Sequence, residues 1–282
     1  MHPKQFSRTA WGVAVHRAAH QTLDCASIFP DPFAHQILGA GADEMIQSHS
    51  TMERRTLRLF LAVRSRFAED ALRMAVSRGV SQVVVLGAGL DTFALRNPFP
   101  QLRVFEVDHP ATQEWKRACL ARAKLSAPIN LEFAPVDFET EKLENGLARA
   151  GFDRDRPTFF IWLGVVPYLT RDAIVETLSF IAAIPDAEVV FDYSEPLESY
   201  PIERRAAVAA LGERAATLGE PWLSHFNPED IAHLLHALNF DELEDLGPRQ
   251  IAMRFHNQTD APNVAGAHII RASRKRNDRP EI

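Results

Sequence analysis

The segment VVVLGAGLDTFALR, Val83 to Arg96, sets two glycines one residue apart directly after an apolar run. Gly87 and Gly89 permit a sharp turn in which a ligand can touch backbone, with Ala88 between them and Asp91 just beyond, opening a helix. A second apolar run ends in FEVDHP and places Asp108 about 20 residues after the glycines, where doubly wound sheets hold the carboxylate that accepts both hydroxyls of a ribose. A third ends in Pro135-Val136-Asp137-Phe138, a carboxylate beside an aromatic ring, a pair able to bond an exocyclic amine and cover an adenine face. Three such features at successive strand ends point to an adenosine-containing ligand.

Charge narrows the choice of ligand. A dinucleotide brings a pyrophosphate to the helix N-terminus and uses a third glycine for close packing. Here Thr92 stands at the third-glycine position and Asp91 where the phosphates would lie. A carboxylate there repels a dianion but tolerates S-adenosyl-L-methionine, which carries a sulfonium and an ammonium and no phosphate. The expected cofactor is therefore S-adenosyl-L-methionine, and a nicotinamide-dependent oxidoreductase is the disfavoured reading.

These residues need a scaffold. The first third of the chain, Ser7 to Ser77, has apolar residues at helical spacing, interrupted by Phe29-Pro30-Asp31-Pro32. From Gln82 onward, apolar runs at 82–86, 102–107, 130–134, 158–163 and 188–193 alternate with helical segments such as 111–125 and 171–183, which predicts an α/β fold with a mainly parallel sheet covered on both faces. Residues 195–226, Arg- and Ala-rich, interrupt the alternation and read as a helical cap over the sheet's edge. Asn227-Pro228-Glu229-Asp230 starts a helix by N-cap, proline and acidic first turn, and two closing strands follow near 241–246 and 265–272. The expected organisation is a single domain: helical lid 1–77, cofactor-binding half of the sheet 78–194, cap 195–226, C-terminal sheet region 227–272 and flexible tail 273–282.

Composition excludes several classes. With 282 residues, 46% hydrophobic and 24% charged, the chain can bury a core without staples. Its net charge of −6 argues against general nucleic-acid affinity. The longest apolar stretch, Thr158 to Leu169, is broken by Gly164 and Pro167 and is too short to span a bilayer. Cys25 and Cys119 show no disulfide or redox spacing, which with the lack of a secretory leader predicts a cytoplasmic setting. His16/His20 and His233/His236 have metal-compatible helical spacing without a further ligand in the same signature, so no metal is expected.

With these residues in hand, the chain resembles the leucine carboxyl methyltransferase family, and within it the bacterial S-adenosylmethionine-dependent branch. The resemblance runs through SRTAWGVAVHRAAH, DPFAHQILG, RSRFAED, LGAGLDT, FEVDHP, PVDF, WLGVVPYLT, DYSEP and PWLSHFNPEDI. It implies a class I methyltransferase-like Rossmann sheet. It also implies that Arg64 reaches from the lid to the methionine carboxylate, a group its fork matches, that Asp108 takes the ribose, and that Asp137 and Phe138 hold the adenine. Leu163 stands where eukaryotic relatives carry a glutamate; it removes a polar contact to the cofactor and argues against the eukaryotic substrate, a protein C-terminal leucine. Phe93 replaces an arginine found in many relatives.

The activity so implied is O-methyl transfer to a small molecule by in-line displacement, most simply to a carboxylate. A carboxylate is ionised near neutral pH and needs no base, whereas a phenol does. Tyr168, which resembles a tyrosine lining the family's reaction centre, and His225 in the cap are the candidate bases. Arg8 and Arg17 on the lid are candidates for clamping an anionic acceptor. The rival within the same fold is a regulatory protein that keeps the cofactor without turnover.

Overall fold

Every residue of β1 (Gln82–Leu86) and of β4 (Thr158–Trp162) is buried, the mark of strands covered on both faces. In a computed structural model, which describes residues 7–274 apart from Glu139, these two strands are neighbours at the centre of the sheet. β2 (Arg103–Asp108) and β3 (Leu131–Pro135) extend it on one side; β5 (Glu188–Ser194), β7 (Ala267–Ser273) and β6 (Glu242–Leu246) extend it on the other. The order is β3-β2-β1-β4-β5-β7-β6. β1 to β5 run parallel, and β7 is antiparallel to both β5 and β6. Successive strands are thus added outward from β1 on one side and from β4 on the other, so the strand order reverses between β1 and β4, and ligands of open α/β sheets bind in the crevice at such a point.

The two faces of the sheet carry separate apolar clusters. On one, Ile174, Leu178 and Ile181 of α7 (Arg171–Ala182), Leu143 and Leu147 of α6 (Leu143–Arg149) and Ile231 and Leu235 of α9 (Pro228–Ala237) cover Val84, Phe105, Phe160 and Val189. On the other, Val63, Phe67, Ala71 and Leu72 of α3 (Met52–Ser77) and Ile251 of α10 (Pro248–His256) cover Val83, Val104, Phe159 and Ile269. Over its 26 residues α3 is about 39 Å long. Its C-terminal half packs on the sheet, and the remainder extends towards α1 (Arg8–Leu23) and α2 (Ala42–Gln47).

Strand positions agree with the predicted runs to within two residues at each end. Three expectations change. The helix after the glycine turn, α4, is only Phe93–Arg96, one turn cut short where Asn97 precedes Pro98. The cap does not cover the sheet's edge: β5, which precedes it, is internal, and α8 (Ile202–Thr217) lies over the carboxyl ends of the strands. Between the closing strands, where the sequence pattern predicts no element, the nine-residue helix α10 begins at Pro248. The expected tail lies, from residue 275 on, outside the described residues. Among those described, no helix is long and apolar enough to cross a membrane.

Candidate active site

A cavity of about 1980 Å³ opens over the carboxyl ends of β1 to β5. That is well above the roughly 300–1,000 Å³ of a pocket for one small ligand, so it has room for two. Its floor is the turn after β1. Gly87 and Gly89 have φ of +66° and +49°, and the amides of Gly87 and Ala88 both donate to Val107 O, tying the turn to β2. A Cβ on Gly87 would lie 2.3 Å from Val165 Cγ2, and one on Gly89 2.9 Å from Ala10 Cβ in the lid. Both glycines are thus required by close approach of backbone to neighbouring elements as well as by their dihedrals.

Asp108, at the end of β2, accepts the Gly89 amide on Oδ2 at 2.6 Å and the His109 amide on Oδ1 at 2.7 Å. Burial lifts its carboxyl above the usual range against the pull of those two amides. Each oxygen keeps a lone pair, and the side chain lines the cavity. Asp137 and Phe138, in the turn after β3, line the same cavity; Asp137 Oδ2 lies 3.9 Å from His109 Nε2, and the Phe138 ring is exposed. Leu163, just after β4, adds an apolar wall. The structure therefore brings Gly87, Ala88, Gly89, Asp108, Asp137, Phe138 and Leu163 together.

Arg64 lies at the same place, with a partner that sequence reasoning missed. Its Nη1 donates to Asp192 Oδ2 at 2.7 Å, and Asp192 Oδ1 accepts the Gly164 amide at 2.5 Å. Gly164 leaves room for the guanidinium: a Cβ there would sit 2.7 Å from Nη2. All three line the cavity. The available signal for Asp192 was its place in DYSEP, at the carboxyl end of a strand.

Arg17 has a different place from the one expected. Instead of facing an acceptor, it donates to Leu90 O at 3.3 Å and Thr92 Oγ1 at 3.5 Å, and lies 3.4 Å from Asp91 Oδ2 and 3.7 Å from Asp31 Oδ2. Thr92 Oγ1 donates to the buried Asp31 at 2.6 Å, and Arg96 joins Asp31 to Glu69 while stacking on Phe29. The lid is in this way bolted to the glycine turn. Asp91 caps α4 by accepting the Phe93 amide at 2.6 Å. Burial raises its carboxyl, but Arg17, Arg96 and Lys116 outweigh that and hold it below the usual range. Its charge is balanced, so the case against pyrophosphate passes from Asp91 to α4: a one-turn helix supplies little dipole and few free amides to a dianion.

At the other end of the cavity Tyr168 sits among Thr9, Trp222 and Glu220. Burial pushes its phenol above the usual range, against its hydrogen bonds with Trp222 and Thr9. Glu220 accepts both the amide and the hydroxyl of Thr9, pinning the start of α1 to the segment after α8. Arg8 lines the cavity from the first turn of α1. His225 does not reach it: the ring is exposed, stacks edge-on with Trp222 and shares a 3.2 Å hydrogen bond with Ser194 Oγ. The neighbouring Ser224 and Phe226 are the residues turned inward.

The groups present fit S-adenosyl-L-methionine: backbone open to close approach at Gly87 to Gly89, the Asp108 carboxylate at the end of β2, the Arg64 guanidinium, and carboxylates at Asp137 and Asp192. Comparison with known proteins agrees. A family model described as leucine carboxyl methyltransferase matches residues 10–182. A Bacillus subtilis protein named "Putative S-adenosyl-L-methionine-dependent methyltransferase YktD" is 37% identical over 75% of this chain and 71% of its own. A similarly named Frankia alni protein is 32% identical over 82% of this chain and 81% of its own. Among solved structures, a "putative methyltransferase" from Thermobifida fusca shares the fold with a TM-score of 0.57 at 21% identity, over 86% of this chain and 92% of its own. By its family match and these relatives, the chain belongs to the leucine carboxyl methyltransferase family.

Proposed function

We propose that this protein transfers a methyl group from S-adenosyl-L-methionine to a carboxylate oxygen of a small molecule. The family and its relatives make the chain an S-adenosylmethionine-dependent methyltransferase; the acceptor is the proposed part. One observation carries it: among the described side chains at the acceptor end, Glu220 is taken up by the Thr9 amide and hydroxyl, and none of the others is a base suited to a phenol. Tyr168 holds its proton more tightly than a free phenol, and His225 lies outside the cavity. Of the histidines that line it, His16, His20, His49 and His256 are all depressed, first by burial, and His109 lies after β2 beside Asp137. A phenol has an unperturbed pKa near 10 and needs a base, whereas a carboxylate arrives ionised.

When bound, the cofactor supplies a methyl group on a sulfonium, open to in-line displacement. The protein's residues align and exclude water. Asp108 accepts the ribose hydroxyls, Arg64 holds the methionine carboxylate, and Asp192 both orients Arg64 and offers an oxygen to the ammonium. The α1 helix, packed at Ala10 against Gly89, shields this end from solvent.

Incubation with labelled methyl donor and paired panels of carboxylic acids and phenols tests the reading. Alkali-labile methyl esters from the acids are expected. Alkali-stable ethers from phenols alone would overturn it.

A further inference from the structure

Charge is divided unevenly around the cavity. Of its lining carboxylates, Asp91, Asp108, Asp137 and Asp192 all lie at or just beyond the carboxyl ends of strands, and Glu220 is held by Thr9. The far end, between α1, the start of α3 and α8, has none among the described residues and carries Arg54, Arg214, His16 and His49 instead. Arg214 makes no side-chain hydrogen bond or ion pair among the described residues, and Arg54 donates only to Ser48 O, at 3.0 Å. Neither arginine pairs with a carboxylate among the described residues.

His16 is the second, independent sign of a ligand. Its imidazole lines the cavity and is 7% exposed, yet Nδ1 has no hydrogen-bond partner. The His49 ring stands edge-on to it with centroids 4.6 Å apart, and His49 Nδ1 is spent on Met45 O at 2.9 Å. Burial first, then the charges of His49, Arg58, Arg54 and Arg214, bring the His16 pKa down to about 3. Arg58 is already committed to Asp24 and to His49 O. A buried polar atom left without a partner costs free energy unless a ligand completes it, and the adjacent arginines favour an anionic one.

Position gives the ligand its shape. Thr9 and His16 are two helical turns apart on one face of α1, so the cationic end lies about 10 Å along the helix from Thr9 and Tyr168. The cavity walls also include the apolar Leu57 on α3 and Leu211 on α8, one helical turn from Arg54 and Arg214 respectively.

We infer that the cavity between α1, α3 and α8 binds a second anionic group of the acceptor, about 10 Å from the oxygen that takes the methyl. The acceptor class is then an elongated acid, apolar in the middle and charged at both ends. The inference rests on the methyltransferase reading only for which end reacts; binding at Arg54, Arg214 and His16 does not depend on turnover.

The test is calorimetric binding, in the presence of S-adenosylhomocysteine, of straight-chain diacids from hexanedioate to dodecanedioate and of the matching mono-acids. One diacid length should bind roughly tenfold or more tightly than its mono-acid, the ratio set by a charge-assisted contact. Arg214→Ala and Arg54→Ala should each abolish that advantage while leaving mono-acid and S-adenosylhomocysteine affinities in place. Arg214 is exposed on α8, so its variant tests the idea without disturbing the core. Equal binding of diacids and mono-acids at every length, or an advantage that survives both substitutions, would overturn it. Diacid binding without methyl ester formation would sustain this inference and fail the proposed reaction instead.

Discussion

Arg64 on α3 and Asp192 at the end of β5, 128 residues apart in sequence, meet with Nη1 2.7 Å from Oδ2, and both side chains are over nine-tenths buried. The pair joins the lid to the half of the sheet beyond the topological switch. Truncating one partner leaves the other buried and unpaired, which costs about 3–5 kcal/mol. Asp192→Ala should lower unfolding free energy by that amount in urea titration, and adding Arg64→Met should recover part of it. A loss under about 1 kcal/mol, as for an exposed pair, would show that the contact is not held.

Gly87→Ala tests the cradle. A side chain there must adopt φ near +66° and displace Val165 Cγ2. Left-handed backbone costs roughly 1–2 kcal/mol and overpacking roughly 1–3 kcal/mol, so cofactor affinity should fall at least tenfold. Val165→Ala in the same chain relieves only the clash and should restore only part of the affinity. Full restoration would mean that the positive φ is not needed.

Arg17→Gln separates two roles. If Arg17 holds the glycine turn through Leu90 O, Thr92 and Asp91, the KM for the methyl donor should rise about tenfold, as charge-assisted hydrogen bonds of this kind contribute about 1.5–3 kcal/mol. The acceptor KM should hardly move. The opposite split would return Arg17 to clamping the acceptor.

What could be read from the sequence was local. The glycine turn, Asp108 and the Asp137-Phe138 pair each follow a short apolar run, and strand order then brings such ends together. The Arg64, Asp192 and Gly164 cluster joins three elements far apart in the chain, and neither composition nor period reveals which arginine meets which carboxylate. Asp91 read as a free charge because its partner, Arg17, comes from the lid. His225 read as a candidate base because a histidine in a cap segment gives no sign of which side it faces; Ser224 and Phe226 took the inward positions. The one-turn α4 was foreseeable from Asn97-Pro98, whose restriction on the preceding residue ends a helix.

His268 on β7 gives a pH signature. It lies 3.0 Å from Asp245 Oδ1 and 3.2 Å from Glu195 Oε1, while Tyr193 donates to Asp245 Oδ2 at 2.6 Å. Burial opposes its protonation, but the hydrogen bonds and charges of Asp245 and Glu195 outweigh burial and raise its pKa. A raised folded value means that its stabilisation is complete below the unfolded value of about 6.5 and is lost as pH climbs through the higher folded one. The Tm of the natural protein should therefore fall across that alkaline limb more steeply than that of His268→Gln. Parallel Tm curves for the two proteins would refute the assignment.

The central claim, that the crevice between β1 and β4 holds S-adenosyl-L-methionine through Asp108, is tested most directly by calorimetric titration of the protein and its Asp108→Ala variant with that cofactor and with NADH. The natural protein should bind the methyl donor and not NADH, and Asp108→Ala should weaken binding by roughly tenfold or more, as loss of charge-assisted hydrogen bonds worth about 1.5–3 kcal/mol requires. Binding of NADH without the methyl donor, or an unchanged affinity in Asp108→Ala, would contradict it.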